Sequence, residues 1–146
     1  MPVTRRETLA LGAAAAVALA ARPALARAEV DALLKEFTGG RPTRSDGLSL
    51  DVPLTADNPN AVPVAVKLAE RFSDSLWCEE ILIIADRNPR PAVCRFRFER
   101  RMGLADVAIR VRLAESQSVI ALARMSDGSV LMQSKPVTVA GGGCGM

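Results

Sequence analysis

Apolar side chains recur at every second residue through most of this chain, and that period selects β-strands over helices. Val62, Val64, Val66 and Leu68 alternate with Pro63, Ala65, Lys67 and Ala69. Cys94, Phe96 and Phe98 alternate with Arg95, Arg97 and Glu99. Val107, Ile109, Val111 and Leu113 alternate with Ala108, Arg110 and Arg112. Ile81-Leu82-Ile83-Ile84-Ala85 is apolar on both faces, as a central strand or one covered by a partner would be. Residues 117–125 form a further strand. Asp127-Gly128 then marks a hairpin into a strand from Ser129 to Val139, bent at Pro136. Pro63 predicts that its strand lies at a sheet edge.

Ahead of the strands, Val30, Leu33, Leu34 and Phe37 make one helical stripe, stopped by Gly39-Gly40 and Pro42. Its predicted place is over one end of the sheet core. About seven strands with turn signals roughly every 8–12 residues predict an all-β fold. The specific expectation is an immunoglobulin-like antiparallel β-sandwich over residues 29–140, with that one short N-terminal helix.

Residues 1–28 read as an export leader rather than as part of the fold. Thr4-Arg5-Arg6-Glu7-Thr8-Leu9 resembles the twin-arginine signature, and the apolar run Leu9–Ala21 follows it. That run falls short of the roughly 20 residues of a spanning helix, so no membrane anchor is expected. Ala24-Leu25-Ala26 and Ala26-Arg27-Ala28 are both small-x-small cleavage sites. The expected destination is the periplasm, an oxidising compartment.

The chain carries 19 Lys+Arg against 16 Asp+Glu. Removing the four arginines and one glutamate of the first 28 residues leaves 15 of each sign, so no nucleic-acid partner is expected. There is no His, which excludes Ser/His and Cys/His nucleophile pairs and imidazole-based metal sites. The carboxylates show no metal-ligand spacing, and no cofactor is expected. Arg95, Arg97, Arg110 and Arg112 would form a positive patch if their strands were neighbours; otherwise they are a solvated face.

The chain ends Gly141-Gly142-Gly143-Cys144-Gly145-Met146. Glycine samples both signs of φ, so residues 141–146 read as a mobile arm. Extended backbone lets Cys144 reach roughly 13 Å beyond Ala140. No residue next to the sulfur has bulk, so the arm can enter a narrow channel in another protein. No Lys or Arg lies between Pro136 and the end, so nothing local stabilises the thiolate. This favours a thiol loaded and unloaded by other proteins over a self-activated redox enzyme. Cys78 and Cys94 are either a disulfide or two buried thiols. A hairpin turning between Arg87 and Arg90 sets Cys94 opposite residues near 83, which strains a bridge to Cys78. Two further readings use Cys144: a thiol-disulfide redox protein, and a structural sandwich dimerised through it.

The leader, the helix ending Thr38-Gly39-Gly40, Asn60-Ala61-Val62-Pro63-Val64, Asn88-Pro89-Arg90-Pro91, Arg110-Val111-Arg112-Leu113-Ala114, Met125-Ser126-Asp127-Gly128-Ser129 and the glycine-cysteine tail together resemble the SoxY family. SoxY is the sulfur-compound carrier subunit of the Sox thiosulfate-oxidising system. The resemblance implies an immunoglobulin-like sandwich paired with the Z subunit as a heterodimer. It implies no catalysis by the chain itself, and covalent sulfur attachment at Cys144, flanked by Gly142, Gly143 and Gly145. It implies three visiting enzymes: a c-type cytochrome complex, a manganese-dependent sulfate-releasing hydrolase and a sulfane dehydrogenase. Met146 departs from the family's final glycine.

Overall fold

A computed structural model describes residues 25–141. Helix α1 covers 25–38, and Gly39 and Gly40 end it, both at positive φ. Its first turn, 25–28, lies inside the segment read as leader. Nine strands follow: β1 Thr43–Arg44, β2 Leu48–Asp51, β3 Thr55–Ala56, β4 Val62–Leu68, β5 Cys78–Ala85, β6 Ala92–Arg97, β7 Asp106–Val111, β8 Gln117–Met125 and β9 Val130–Val139. A 3-10 turn, Arg100–Met102, links β6 to β7. No described helix is long and apolar enough to cross a membrane.

The strands form two sheets. One runs β1-β9-β8-β5-β6 with β3 also on β9, and the other runs β2-β4-β7. The main ladders are antiparallel, as the sequence predicts, whereas the two-residue β1 and β3 pair with β9 in parallel. The β8–β9 turn matches the Asp127-Gly128 signal. Gly128 has φ 85°, and Arg41 donates to its carbonyl at 2.6 Å. The Ser129 hydroxyl and amide hydrogen-bond the Asp127 carboxylate and hold its pKa below the usual range.

Between the sheets, Leu48, Leu50, Val62, Val64 and Val66 meet Ile81, Ile83, Val119 and Ala121 in one core. The alternate residues of β5 and β8, Leu82, Ile84 and Leu122, join Val30 and Phe37 of α1 in a second cluster. The molecule is therefore three layers deep: helix, large sheet, small sheet. This corrects the expected helix position. The helix lies across the outer face of the large sheet, because β5 and β8 offer apolar side chains there. It also accounts for the doubly apolar run 81–85, which the chain covers with its own helix.

Pro63 does not mark an edge strand, since β4 is the middle strand of its sheet. The Leu68 amide bonds Ala105, so even-numbered residues of β4 face β7 and odd-numbered ones face β2. Pairing with β2 stops at Asp51↔Ala65, so Pro63's missing donor falls where the strand is open. The arginine patch does not form either. β6 and β7 belong to different sheets, and Arg95 is committed to Glu80 and Glu36.

Glu80 is 4% exposed on β5. Arg124 meets it at 2.6 Å and Arg95 at 3.1 Å. Arg124 also lies 4.9 Å over the Phe37 ring, and Arg95 bridges to Glu36 at 3.7 Å. One buried carboxylate thus anchors two cations that both touch the helix. Arg101–Glu99 has the same 2.6 Å separation but is exposed on both sides. Burial, not distance, separates their worth. Arg124→Ala is expected to cost about 2 kcal/mol in urea unfolding, less than the ~3–5 of a fully stranded charge because Arg95 remains. Arg101→Ala is expected to stay within about 0.5 kcal/mol.

Candidate functional site

The sequence places the chemistry on the C-terminal arm. Cys144, Gly142, Gly143 and Gly145 lie outside the described residues, but the root of the arm is described in full. The Thr138 amide donates to Leu54 O at 2.9 Å, and the Ala140 amide donates to Ala56 O at 3.1 Å. Between them, the Val139 amide donates to Ser116 Oγ at 2.9 Å. The last three amides before the glycines are each held. Gly141 is exposed, and a Cβ built on it would meet nothing within 4 Å. The chain passes from a clamped backbone to open space within one residue.

The surrounding loops are stitched together. Asn88 Nδ2 donates to Arg112 O at 2.7 Å, and its Oδ1 accepts from the Ala114 amide at 2.9 Å and from Gln117 Nε2 at 2.8 Å. Buried Gln117 also accepts from the Arg87 amide at 2.9 Å. The Leu113 amide donates to Pro59 O at 2.8 Å, tying the loop after β7 to the segment before β4. Asn88 and Gln117 thus make the arm end of the sandwich a rigid platform. Sequence reasoning missed both residues and Ser116. The available signal was a phase clash: polar Gln117 shares the inward phase with Val119 and Ala121.

Cys78 and Cys94 are both free thiols. Cys94 pairs with Ile83, the register the hairpin predicts. Cys78 pairs with Met125, so about 16 Å of β5 separates the two levels and no bridge forms. Cys94 is only half-buried, where a buried thiol was expected, because β6 is a sheet edge. Neither thiol lies near the arm. The register runs Cys94↔Ile83↔Ala121↔Gln133. Cys94 therefore sits three strand spacings, ~14 Å, across and ~23 Å down from Ala140, beyond the roughly 13 Å reach of Cys144. A resolving role for Cys94 fails on distance, and one for Cys78 fails on burial. Among the described residues no three His, Cys, Asp or Glu side chains gather as metal ligands would.

Burial pushes the Cys78 thiol up to about 12, against a weaker opposing backbone hydrogen bond with Glu80. The fold therefore favours the protonated form. Its contribution to stability is complete below pH 9, and it declines as pH rises from 9 to 12 while only the unfolded chain deprotonates. The slope of unfolding free energy against pH over that range is expected to flatten in Cys78→Ala. Asn88→Ala is expected to cost about 1–3 kcal/mol in urea unfolding, because it strands Gln117 and the 112–114 loop.

The comparisons with known proteins agree with this fold. The fold matches the sulfur carrier protein SoxY from Chlorobium limicola f. thiosulfatophilum at TM-score 0.63 and 24% identity, over 77% of this chain and 97% of that one. It also matches superoxide reductase (neelaredoxin) from Ignicoccus hospitalis at TM-score 0.56 and 15% identity, over 70% and 90%. At these identities the likeness shows the fold alone. No curated protein is similar enough to count as a relative. The family model "Sulfur oxidation protein SoxY" matches residues 34–144, from within α1 to the arm cysteine. The chain belongs to the SoxY family of sulfur oxidation proteins.

Proposed function

We propose that this chain is a periplasmic carrier that holds sulfur intermediates of thiosulfate oxidation covalently on Cys144 and presents them to other enzymes. One observation carries the reading: backbone fixed through Ala140 gives way at once to Gly-Gly-Gly-Cys-Gly. A rigid body aims the arm, and a leash without side chains lets the sulfur enter a partner's channel. Family membership and the likeness to a sulfur carrier protein support the same role.

In the loading step the Cys144 thiol and the outer sulfur of thiosulfate form an S–S bond. The thiol loses its proton to solvent, and two electrons pass to the haems of a c-type cytochrome complex. The product is a thiosulfonate monoanion on the arm. Hydrolysis at the outer S–S bond, by the manganese-dependent hydrolase, then releases sulfate and leaves a sulfane sulfur on Cys144 for the sulfane dehydrogenase. The transition states of these steps are stabilised in the visiting enzymes. The Z subunit is the heterodimer partner, and the twin-arginine leader takes the folded chain across the membrane. Met146 puts a thioether where the family has glycine and narrows the range of channels the tip can enter.

The test is intact mass after incubation with thiosulfate and the cytochrome complex. One thiosulfonate adduct is expected on the wild type, on Cys78→Ser and on Cys94→Ser, and none on Cys144→Ser. An adduct that persists in Cys144→Ser overturns the assignment.

A further inference from the structure

The length of the leash constrains where a partner can sit. Cys144 is four residues past the last clamped amide, so an enzyme acting on it must place its reacting atoms within roughly 13 Å of Ala140. That distance is too short to go round the sandwich. Every enzyme that works on the thiol must therefore cover the end of the body from which the arm leaves.

That end carries an apolar feature that folding does not explain. Among the described residues the large apolar side chains left exposed are Leu25, Leu54 and Met102, and Leu54 is the most exposed at 79%. Leu25 lies in the segment read as leader. Met102 lies in the link between β6 and β7, at the far end of the molecule from the arm. Leu54 sits beside the arm root. Its carbonyl takes the Thr138 amide, two residues from Ala140, and its neighbours Val52 and Ala56 are buried. Val52, Leu54 and Ala56 would share one strand face, but a bend at Leu54 breaks that alternation and turns its side chain outward, while the bond to β9 fixes its backbone. Pro53 beside it in sequence, and Val139 and Ala140 of the arm root, are half-buried.

We propose that Leu54, held at the arm root, is the docking anchor for the enzyme that loads Cys144. The partner it fits is an enzyme whose channel mouth has an apolar recess at its rim, sized for a leucine side chain. Pre-set anchors of this kind lose little conformational freedom on binding and contribute more than their neighbours. The proposal rests on the carrier reading given above.

The experiment follows adduct formation on the full chain by intact mass, with thiosulfate and the loading cytochrome complex. Leu54→Ser is expected to lower kcat/KM for loading by about ten-fold or more, mainly through KM. Met102→Ser serves as the matched change at the far end and is expected to load like wild type. Alkylation of Cys144 by iodoacetamide and the thermal midpoint are expected to be unchanged in both variants, which separates lost docking from lost folding or lost thiol access. Equal loading of wild type and Leu54→Ser overturns the proposal, as does an equal loss in Met102→Ser. Failure of the wild type to load at all overturns the carrier reading beneath it.

Discussion

Burial of β5 and β8 on both faces is the constraint on which the rest of the structure depends. Ile81, Ile83, Val119 and Ala121 look toward the small sheet, and Leu82, Ile84 and Leu122 look toward α1. A two-layer sandwich would leave the second set in water. The helix is therefore part of the core, and its attachment has two components. The apolar stripe supplies most of the free energy without direction. Glu80, Arg95 and Arg124 supply direction, because a buried carboxylate with two guanidinium partners tolerates little displacement. Phe37 lies under Arg124 and shares in both.

A core this thick makes β9 a stiff beam. β8 holds one side of it over most of its length, and β1 and β3 hold its other side at the two ends. The strand that becomes the arm is thereby fixed almost to its last residue. The stiffness matters because the glycines begin at that strand's end. Each glycine adds rotational freedom about a point, and that point is well defined only when the backbone before it does not move. Ser116 and the carbonyls of Leu54 and Ala56 supply that definition.

Period-two alternation made the longer strands legible and bounded β8 at 117–125, and the turn between Arg87 and Arg90 put Cys94 opposite residues near 83, where it pairs with Ile83. Asp127-Gly128 named its hairpin because the turn needs positive φ there. Features that depend on how distant segments meet were not legible. Pro63 reads as an edge from local sequence, yet only its end of β4 is open. The helix stripe shows an apolar face but not which surface it covers. Arg95, Arg97, Arg110 and Arg112 share a local pattern, while the topology sends their strands to different sheets. The arm reads as a tether from composition alone, and residues 142–146 lie outside the described structure. The platform beneath it was not legible, since the Asn88–Gln117 contact spans 29 residues with no periodic signal.

A stiff root and a short leash together shift the burden of selectivity. For a flexible tether, the effective concentration of its tip reaches the millimolar range when its length matches the span, and it falls as the tether lengthens. On the proposed carrier reading, a leash of a few glycines would keep the sulfur concentrated near one end of the body. In sequence, no Lys or Arg follows Lys135 and glycines flank Cys144. On that reading, discrimination between enzymes would then come from how well each one seats on the rigid end around the root. In a carrier built this way, the surface that selects partners and the atom that carries cargo are separate, so either can change without rebuilding the other. On the same proposed reading, Met146 sits at the tip, so its effect would fall on entry into a channel and not on docking of the body.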